Sequence, residues 1–286
     1  WGRGFYSMLF VLPKPSGGWR AILDFKKLNQ FIVYKRFKMH TLQSILISIR
    51  HGDFLSSIDL TEAYLHIPIN PYHFKFLRFC YDGKHYEYVA MPFGLSSAPR
   101  TFTKILAALV GHIRGNPIRI HCYLDDILIM SPTIKQAELN TRITAQALAD
   151  HGFSINHEKS QMVPTNRLPH LGAVIDTIQD TVFLSPERRI SIKTLVNKLR
   201  QTKKPQLCDL SKLLGKMISC ISIVPWARLH SRWLQWFLLP HQRAGRSNSK
   251  TRALLPSSVR TSLLWWMSPS IDKGCSIRET GRITIT

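Results

Sequence analysis

Acidic residues are scarce in this chain. Of its 286 residues only 17 are Asp or Glu, against 39 Lys or Arg, so the formal net charge is +22. Residues 1–200 hold 25 basic and 14 acidic residues, and residues 201–286 hold 14 and 3, so each part carries +11. Such an excess repels itself in the compact state unless a polyanion neutralises it. The composition therefore predicts a nucleic-acid partner.

Long apolar runs and paired cysteines are missing as well. No apolar stretch approaches 18 residues, so the sequence predicts no membrane span, and no basic helix with a clean apolar face favours a membrane surface as partner. The five cysteines are widely spaced without a Cys-x-x-Cys pair, which argues against a disulfide framework and a zinc site. With reduced thiols and no secretory leader, we expect an intracellular protein of the cytoplasm or nucleus, not a secreted one.

Against this background, two adjacent acids stand between two apolar runs. Residues 118–124 and 127–130 have the composition of strands, which places Asp125 and Asp126 at the tip of a hairpin. Neighbouring like charges repel, and Asp is depleted in strands, so the pair destabilises the fold unless a cation or turn hydrogen bonds compensate. An ordinary turn remains an equal alternative for the dipeptide alone, because Asp tolerates turn backbone angles.

A third carboxylate favours the cation. Asp59 ends a strand-like stretch that starts at Phe54 and lies 66 residues before Asp125. Strands that deliver acids from their ends can bring three carboxylates together, which suits two hard divalent cations about 3.5–4 Å apart. Such a pair drives in-line phosphoryl displacement. The three acids therefore predict nucleotidyl transfer.

Apolar spacing indicates the elements around these motifs. Strands are predicted over residues 5–12, 19–25, 153–156, 170–175 and 181–184. Helices are predicted over residues 97–113 and about 134–151, and in two segments beyond residue 185 whose leucines we expect in the core. Residues 241–262, rich in Arg, Ser and Lys, are typical of a loosely ordered connection. Three tryptophans among arginines could be buried or could stack on bases, namely Trp226, Trp233 and Trp236.

The motifs resemble, in order, those of the reverse transcriptases of endogenous retroelements. Residues 123–126 are similar to the signature tetrapeptide Tyr-x-Asp-Asp, and residues 57–64 resemble the motif that supplies the first metal-binding Asp. Four further motifs agree: the fingers motif at 19–29, the template and nucleotide motif at 91–95, the lysine motif at 152–160 and the primer grip at 170–172. The resemblance covers roughly residues 5–240. Residues 210–234 and 264–266 look most like the DIRS-like group, which carries a tyrosine recombinase.

The resemblance implies an α+β fold shaped as a right hand, with fingers, a palm built on an antiparallel sheet, and a helical thumb. It implies fingers and palm over residues 1–183, a thumb over 184–240 and a basic connection or linker over 241–286. The N-terminal part of the fingers is expected to be missing. Because the chain begins without Met and stops without a capping element, we expect it to be a piece of a longer polyprotein.

The resemblance also implies roles for the acids and for a lysine. Asp59, Asp125 and Asp126 would be catalytic and would bind two Mg²⁺ ions, for which Mn²⁺ could substitute. Lys159 would protonate the departing pyrophosphate, a general-acid role that suits an amine with a tuned pKa. Without the resemblance, Lys159 would be an ordinary surface lysine. Glu62 is left out of the metal site, since the chain after Asp59 is expected to turn away from the strand end.

The implied partners are an RNA and DNA template-primer and deoxynucleoside triphosphates, with the oligomeric state open. The nucleotide would contact Lys14, Arg20, Tyr64, Phe93 and Gly94. The ring of Tyr64 would lie under the sugar, where a 2′-hydroxyl would clash, although plain packing is the alternative. Phe93 departs from the Gln that many retroviral enzymes carry there.

The primer grip would be His170, Leu171 and Gly172. Two other functions are open for the whole chain. A decayed, non-catalytic nucleic-acid-binding remnant would share the charge but is expected to have lost acids, and all three acids remain. A polyprotein of this kind can also carry ribonuclease H activity, but only Asp272 and Glu279 follow Asp209 here. Any such nuclease is therefore expected after Thr286.

Overall fold

The structure, a computed structural model, describes residues 4–13, 17–113, 115, 117–245 and 249–278. The chain divides into two compact units, one formed by residues 1–41 and 55–164 and the other by residues 42–54 and 165–286. The functional boundaries expected at residues 183/184 and 240/241 stay a prediction. No helix in the described ranges is both long enough and apolar enough to span a bilayer.

The strands are β1 Met8–Pro13, β2 Trp19–Asp24, β3 Phe54–Asp59, β4 Arg78–Tyr81, β5 Lys84–Glu87, β6 Arg119–Tyr123, β7 Asp126–Ser131, β8 Gln161–Thr165, β9 Arg167–His170, β10 Ala173–Asp176, β11 Thr181–Leu184 and β12 Cys275–Ser276. The α-helices are α1 Lys26–Asn29, α2 Leu42–Leu46, α3 Ala98–Ile113, α4 Ile134–Asp150, α5 Pro186–Gln201, α6 Leu207–Ile218, α7 Ala227–Arg243 and α8 Ser257–Trp265. Short 3₁₀ turns span Ala63–His66, Pro71–Phe76 and Pro269–Asp272.

A four-stranded sheet in the order β6-β7-β3-β8 forms the centre of the first unit. Strands β6 and β7 are antiparallel, with Tyr123 opposite Asp126. Helices α3 and α4 pack against β6 and β7, and their apolar faces form one core with the sheet. Apolar residues such as Phe102, Ile120 and Ile129 are almost completely buried there. Because β7 is buried along nearly its whole length, it is held firmly from both faces.

Two small hairpins complete the first unit. Strands β1 and β2 pair antiparallel from Met8 opposite Asp24 to Pro13 opposite Trp19, and β4 pairs with β5. A parallel bridge between Tyr6 and Arg78 joins the two hairpins. Their separate core is formed by Leu23, Phe25, Leu28 and Leu77. The expected strands at 5–12 and 19–25 are thus confirmed, and the first begins later than predicted.

The second unit combines an antiparallel sheet with helices. Its sheet has the order β12-β11-β10-β9, with antiparallel pairing throughout. Helix α6 packs against α5 and α7, and α8 packs against α7 and α5. The leucines of α6 are buried, as are Val196 and Leu199 of α5. The expectation that these helices turn their apolar stripes to their own core is confirmed.

The helices predicted at 97–113 and 134–151 are confirmed within one residue at each end by α3 and α4. The strand predicted near 153–156 is wrong. That segment forms only a single bridge, between Leu60 and Ile155, and the strand that joins the sheet is β8. The reason is that its backbone groups bind the loop after β3, where Thr61 N donates to Ser154 O.

The loosely ordered connection predicted at 241–262 is wrong for residues 241–243, which end helix α7, and for residues 257–262, which belong to helix α8. The linker expected at 241–286 stays a prediction. Val259 and Leu263 are buried on one side of α8, and Leu255 before the helix and Trp266 just after it are buried as well. The indole of Trp266 donates to His230 O at 3.1 Å, which attaches α8 to α7. Abundant Ser and Arg obscured the spacing, and one of the serines, Ser262, is itself buried, where its hydroxyl donates to His230 O.

Leu263 and Leu264 provide a matched test of this correction. Leu263 is 1% exposed and Leu264 is 49% exposed, and both belong to α8. We expect Leu263→Ala to lower the free energy of unfolding by about 2–5 kcal/mol, because the deletion leaves a cavity. Leu264→Ala should change it by no more than about 0.5 kcal/mol. Urea unfolding measures both, and equally small effects would show that α8 adds nothing to the core.

Candidate active site

The turn between β6 and β7 consists of Leu124 and Asp125, so the predicted hairpin is confirmed. Leu124 has φ 54°, in the left-handed region that a branched side chain rarely adopts. Such strain persists only where surrounding contacts impose it, and it concentrates at functional sites. Here Leu60 N donates to Asp125 O at 3.2 Å, which attaches the turn to the residue that follows Asp59.

The end of β3 is held from its other side by residues 154–160. Asn156 N donates to Asp59 O at 2.8 Å. Asp59 N donates to Ser160 Oγ at 2.9 Å, and that hydroxyl donates to Asn156 O. Lys159 lies inside this bonded segment. The backbone therefore brings Lys159 and Asp125 to the same strand end as Asp59, which local sequence patterns alone do not show.

Burial and neighbouring charges shift the pKa of two acids at this strand end. Burial raises the pKa of Asp59, Lys159 partly opposes the shift, and Asp125 adds to it. Burial, followed by Asp125 and Asp59, raises the pKa of Asp126 to about 6, again against the effect of Lys159. Three carboxylates thus share one partly buried region with one ammonium group. The three carboxylates outnumber the one ammonium group, and a divalent cation would balance the remaining negative charge.

The donor set fits magnesium or manganese, because both prefer carboxylate oxygens. Within the ranges that the structure describes, no three His, Cys, Asp or Glu side chains are already gathered as a metal-ligand cluster. Asp125 is nevertheless close enough to raise the pKa of both Asp59 and Asp126.

Tyr64 lies in the 3₁₀ turn that follows Asp59. Its ring contacts Phe93 at 4.9 Å and Phe102 at 5.3 Å between centroids. Burial raises the pKa of its hydroxyl, and the charge of Asp125 raises it further. Tyr64 thus packs on the core through Phe102 and also lies within the electrostatic influence of the carboxylates. Its contacts with Phe93 and Phe102 show packing, and its contact with a nucleotide stays a prediction.

The loop that carries Phe93 and Gly94 is held by a residue whose role the sequence did not indicate. Asn29 Nδ2 donates to Gly94 O at 2.9 Å, and Asn29 Oδ1 accepts from Ser96 N at 2.8 Å. Gly94 has φ 91°, a conformation that other residues adopt only with strain. Phe93 remains 42% exposed, so one part of its ring is open to a ligand.

His66 is a second residue missed by sequence reasoning. Its Nε2 accepts from Ser154 N at 3.1 Å, and its ring lies 5.6 Å from that of Phe153. It therefore connects the turn that carries Tyr64 to the segment that carries Lys159. A lone His without a motif gives no signal for such a contact, and neither do Asn29, Asn156 and Ser160.

The remaining predicted residues are placed as follows. Lys14 lies outside the described residues, and Arg20 belongs to β2 opposite Leu12, with its side chain outside the described part. Leu171 and Gly172, at φ 50° and 75°, form the two-residue turn between β9 and β10, immediately after His170. This turn belongs to the second unit, and its role as a primer grip stays a prediction.

Asp125 in the hairpin turn and Asp126 at the start of β7 place two adjacent acids at one end of the sheet of the first unit. The fold is similar to that of the foamy viral protease-reverse transcriptase solved with double-stranded DNA, with TM-score 0.75 and 23% identity over 93% of this chain and 44% of that one. A family model described as "Reverse transcriptase (RNA-dependent DNA polymerase)" matches residues 12–175. The chain therefore belongs to the reverse transcriptase family, and the expected α+β right-hand fold is confirmed.

Retroviral and transposon polyproteins are similar in sequence. The chain is 30% identical over 195 residues to the Gag-Pro-Pol polyprotein of human T-cell leukemia virus 2, covering 62% of this chain and 13% of that polyprotein. It is 27% identical over 176 residues to the retrovirus-related Pol polyprotein from transposon 297 of Drosophila melanogaster, covering 58% and 16%. The chain thus spans about one sixth or less of the length of these relatives.

The raised pKa of Asp126 predicts how stability depends on pH. A folded-state pKa of about 6, above the usual 3.8, means that folding favours the protonated acid. The resulting destabilisation is absent below pH 4, grows between pH 4 and 6, and is complete above pH 6. In the presence of a metal chelator at pH 7.5, Asp126→Asn should therefore raise the free energy of unfolding by about 1–2 kcal/mol, after allowance for solvent screening.

The difference should disappear near pH 4, where the carboxyl of the unaltered protein is protonated. Urea unfolding at a series of pH values measures it. Asp150→Asn, at an exposed position at the end of α4, is the control and should show no comparable gain. A loss of stability in Asp126→Asn at pH 7.5 would contradict this account.

Proposed function

We propose that this chain is the polymerase core of an RNA-directed DNA polymerase that adds deoxynucleotides to a primer 3′ end by two-metal phosphoryl transfer. The observation that carries the proposal is the backbone network that brings Asp59, Asp125 and Lys159 to one strand end beside Asp126. Asp59, Asp125 and Asp126 would hold two Mg²⁺ or Mn²⁺ ions, which when bound activate the 3′-hydroxyl and neutralise developing triphosphate charge.

The other residues act directly on the substrate. Lys159 would donate a proton to the departing pyrophosphate, and its hydrogen-bonded segment holds it beside the acids. Tyr64 and Phe93, in ring contact, would form an apolar support for the sugar and base of the incoming nucleotide. The hydrogen bonds of Asn29 would maintain the conformation of the Gly94 loop while the base pair binds.

The proposed partners are an RNA or DNA template with its primer. A net charge of +22 favours a polyanion, and the similar foamy viral enzyme was solved with double-stranded DNA and with an RNA/DNA hybrid. Deoxynucleoside triphosphates are the proposed second substrate. All five cysteines are free thiols, which supports a proposed intracellular site of action.

Two finer assignments are part of the proposal. The turn at His170, Leu171 and Gly172 would contact the primer near its 3′ end. Gly172 has φ 75°, a conformation that glycine adopts without strain, and an added Cβ would meet the Arg188 side chain. The parent element would be DIRS-like, on the sequence resemblance of residues 210–234 and 264–266. A tyrosine recombinase encoded beside the parent reading frame would support that subgroup, and a retroviral-type integrase there would contradict it.

Asp125→Asn tests the metal site. We expect the change to abolish extension of a DNA primer on an RNA template, because it removes a charged ligand while keeping the size of the side chain. Affinity for the template-primer should stay nearly unchanged, since the group contacts metal and not phosphate. Extension assays and fluorescence anisotropy measure the two quantities, with Asp150→Asn as the control. Equal loss of binding would indicate a structural role.

Tyr64→Ala tests the nucleotide site. In a preparation active in primer extension, the change should raise the incorporation of ribonucleotides relative to deoxyribonucleotides, because discrimination by a clash is lost with the clashing atoms. Tyr64→Phe keeps the ring and should keep the discrimination. The measurement is kcat/KM for each nucleotide type. If Tyr64→Ala lowers kcat/KM for both nucleotide types and leaves their ratio unchanged, Tyr64 is a packing residue.

A further inference from the structure

Helix α7 has an apolar face that points to solvent. Trp226, Leu229, Trp233 and Trp236, here called the tryptophan face, follow one another at spacings of three and four residues and are 72%, 57%, 48% and 55% exposed. This spacing places Leu229, Trp233 and Trp236 along one face of α7, and Trp226 is the N-cap residue immediately before the helix. The opposite side of α7, which includes Leu234, is buried where α6 and α8 pack. The tryptophan face is therefore not needed for the core of its own unit.

Folding alone does not explain this face. Exposed tryptophans lose the favourable burial of their large apolar surface, and contiguous apolar patches of this kind mark interaction sites. Trp226 also has φ 65°, a left-handed conformation usual for glycine at such a position. The rings of Trp233 and Trp236 pack edge to face at 5.4 Å, so they are already ordered before any partner binds.

Cations border the tryptophan face. Arg228 and Arg232 lie in the same turns of α7, Arg243 lies about two turns beyond Trp236, and residues 227–243 contain no acid. Only three acids occur after residue 200. Two of these pair with other helices, since Asp209 lies 3.6 Å from Lys198 and Asp272 lies 3.2 Å from Lys193. They do not offset the arginines of α7, so the charge of this surface favours a polyanionic occupant.

We infer that the tryptophan face binds single-stranded nucleic acid, with bases stacked on the indoles and phosphates paired with the bordering arginines. Stacking on aromatic rings is tolerant of sequence and needs unpaired bases, and arginine pairs with phosphate through a forked pair of hydrogen bonds. A second copy of the chain would bring two positive stripes together. The inference rests on the proposed function for its partner class, a nucleic acid, but not on the carboxylates.

The decisive experiment compares two substitutions at Trp233 in the full chain. Trp233→Phe keeps a ring on which a base can stack, whereas Trp233→Leu keeps only apolar character. We expect Trp233→Leu to weaken binding of a single-stranded oligo(dT) about tenfold, the loss of one stacked base, and Trp233→Phe to weaken it by less than about threefold. Binding of a blunt DNA duplex should be unchanged in both. Fluorescence anisotropy measures the affinities.

Arg232 tests the charged border. Arg232→Gln should lower the slope of the logarithm of affinity against the logarithm of salt concentration by about 0.7 for the single strand, one phosphate contact. Oligo(dT) should also quench the tryptophan fluorescence of the unaltered protein, and Trp233→Leu should reduce that quenching. Thermal unfolding controls for folding, which should not change at exposed positions.

Several results would overturn the inference. The first is equal affinity of Trp233→Leu and Trp233→Phe for oligo(dT). The second is a loss of duplex binding as large as the loss of oligo(dT) binding. The third is a dimer, seen by light scattering in the unaltered protein, that Trp233→Leu dissociates. The Asp125→Asn protein separates this inference from the proposed function, because it should bind oligo(dT) as tightly as the unaltered chain. Unchanged binding in the Trp233 variants together with normal primer extension would refute the surface and leave the polymerase assignment intact.

Discussion

The hydrogen bonds at the end of β3 are the constraint on which the site depends. Asp59 O accepts from Asn156 N, Asp59 N donates to the Ser160 hydroxyl, and the next residue, Leu60, donates its N–H to the carbonyl of Asp125. Three segments distant in sequence are thereby joined through main-chain groups. Main-chain bonds leave the side chains of Asp59, Asp125 and Lys159 available for chemistry. If side-chain hydrogen bonds held the site together, those side chains would not be available to act on the substrate.

This arrangement places like charges together at an energetic disadvantage. The raised pKa of Asp126, to about 6, reflects burial next to Asp125 and Asp59, and Leu124 adds backbone strain in the same turn. The buried strand β7 and the helices that cover it compensate for both. A cation would remove much of the repulsion. The electrostatic destabilisation therefore lies at the position where a bound cation would offset it.

In the second unit the charged side chains are arranged differently. Asp209 and Asp272 pair with cations of α5 and α6, while α7 keeps its arginines beside exposed tryptophans. The attachment of α8 to His230 covers one side of α7 and leaves the other open. The same packing that gives α7 a rigid position thus also determines which of its faces a nucleic acid can reach.

Residue patterns by themselves determined the hairpin at 123–126, the strand that ends on Asp59, the helices at 98–113 and 134–150, and the preference for a polyanion. Each depends on local periodicity or on total charge, which a linear sequence contains in full. The tertiary structure alone decided that Asn29, His66, Asn156 and Ser160 support the site and that residues 257–276 belong to the core. It also decided that Trp226, Trp233 and Trp236 face solvent. Periodicity shows which residues share a helix face, but only the packing of other elements determines whether that face is covered.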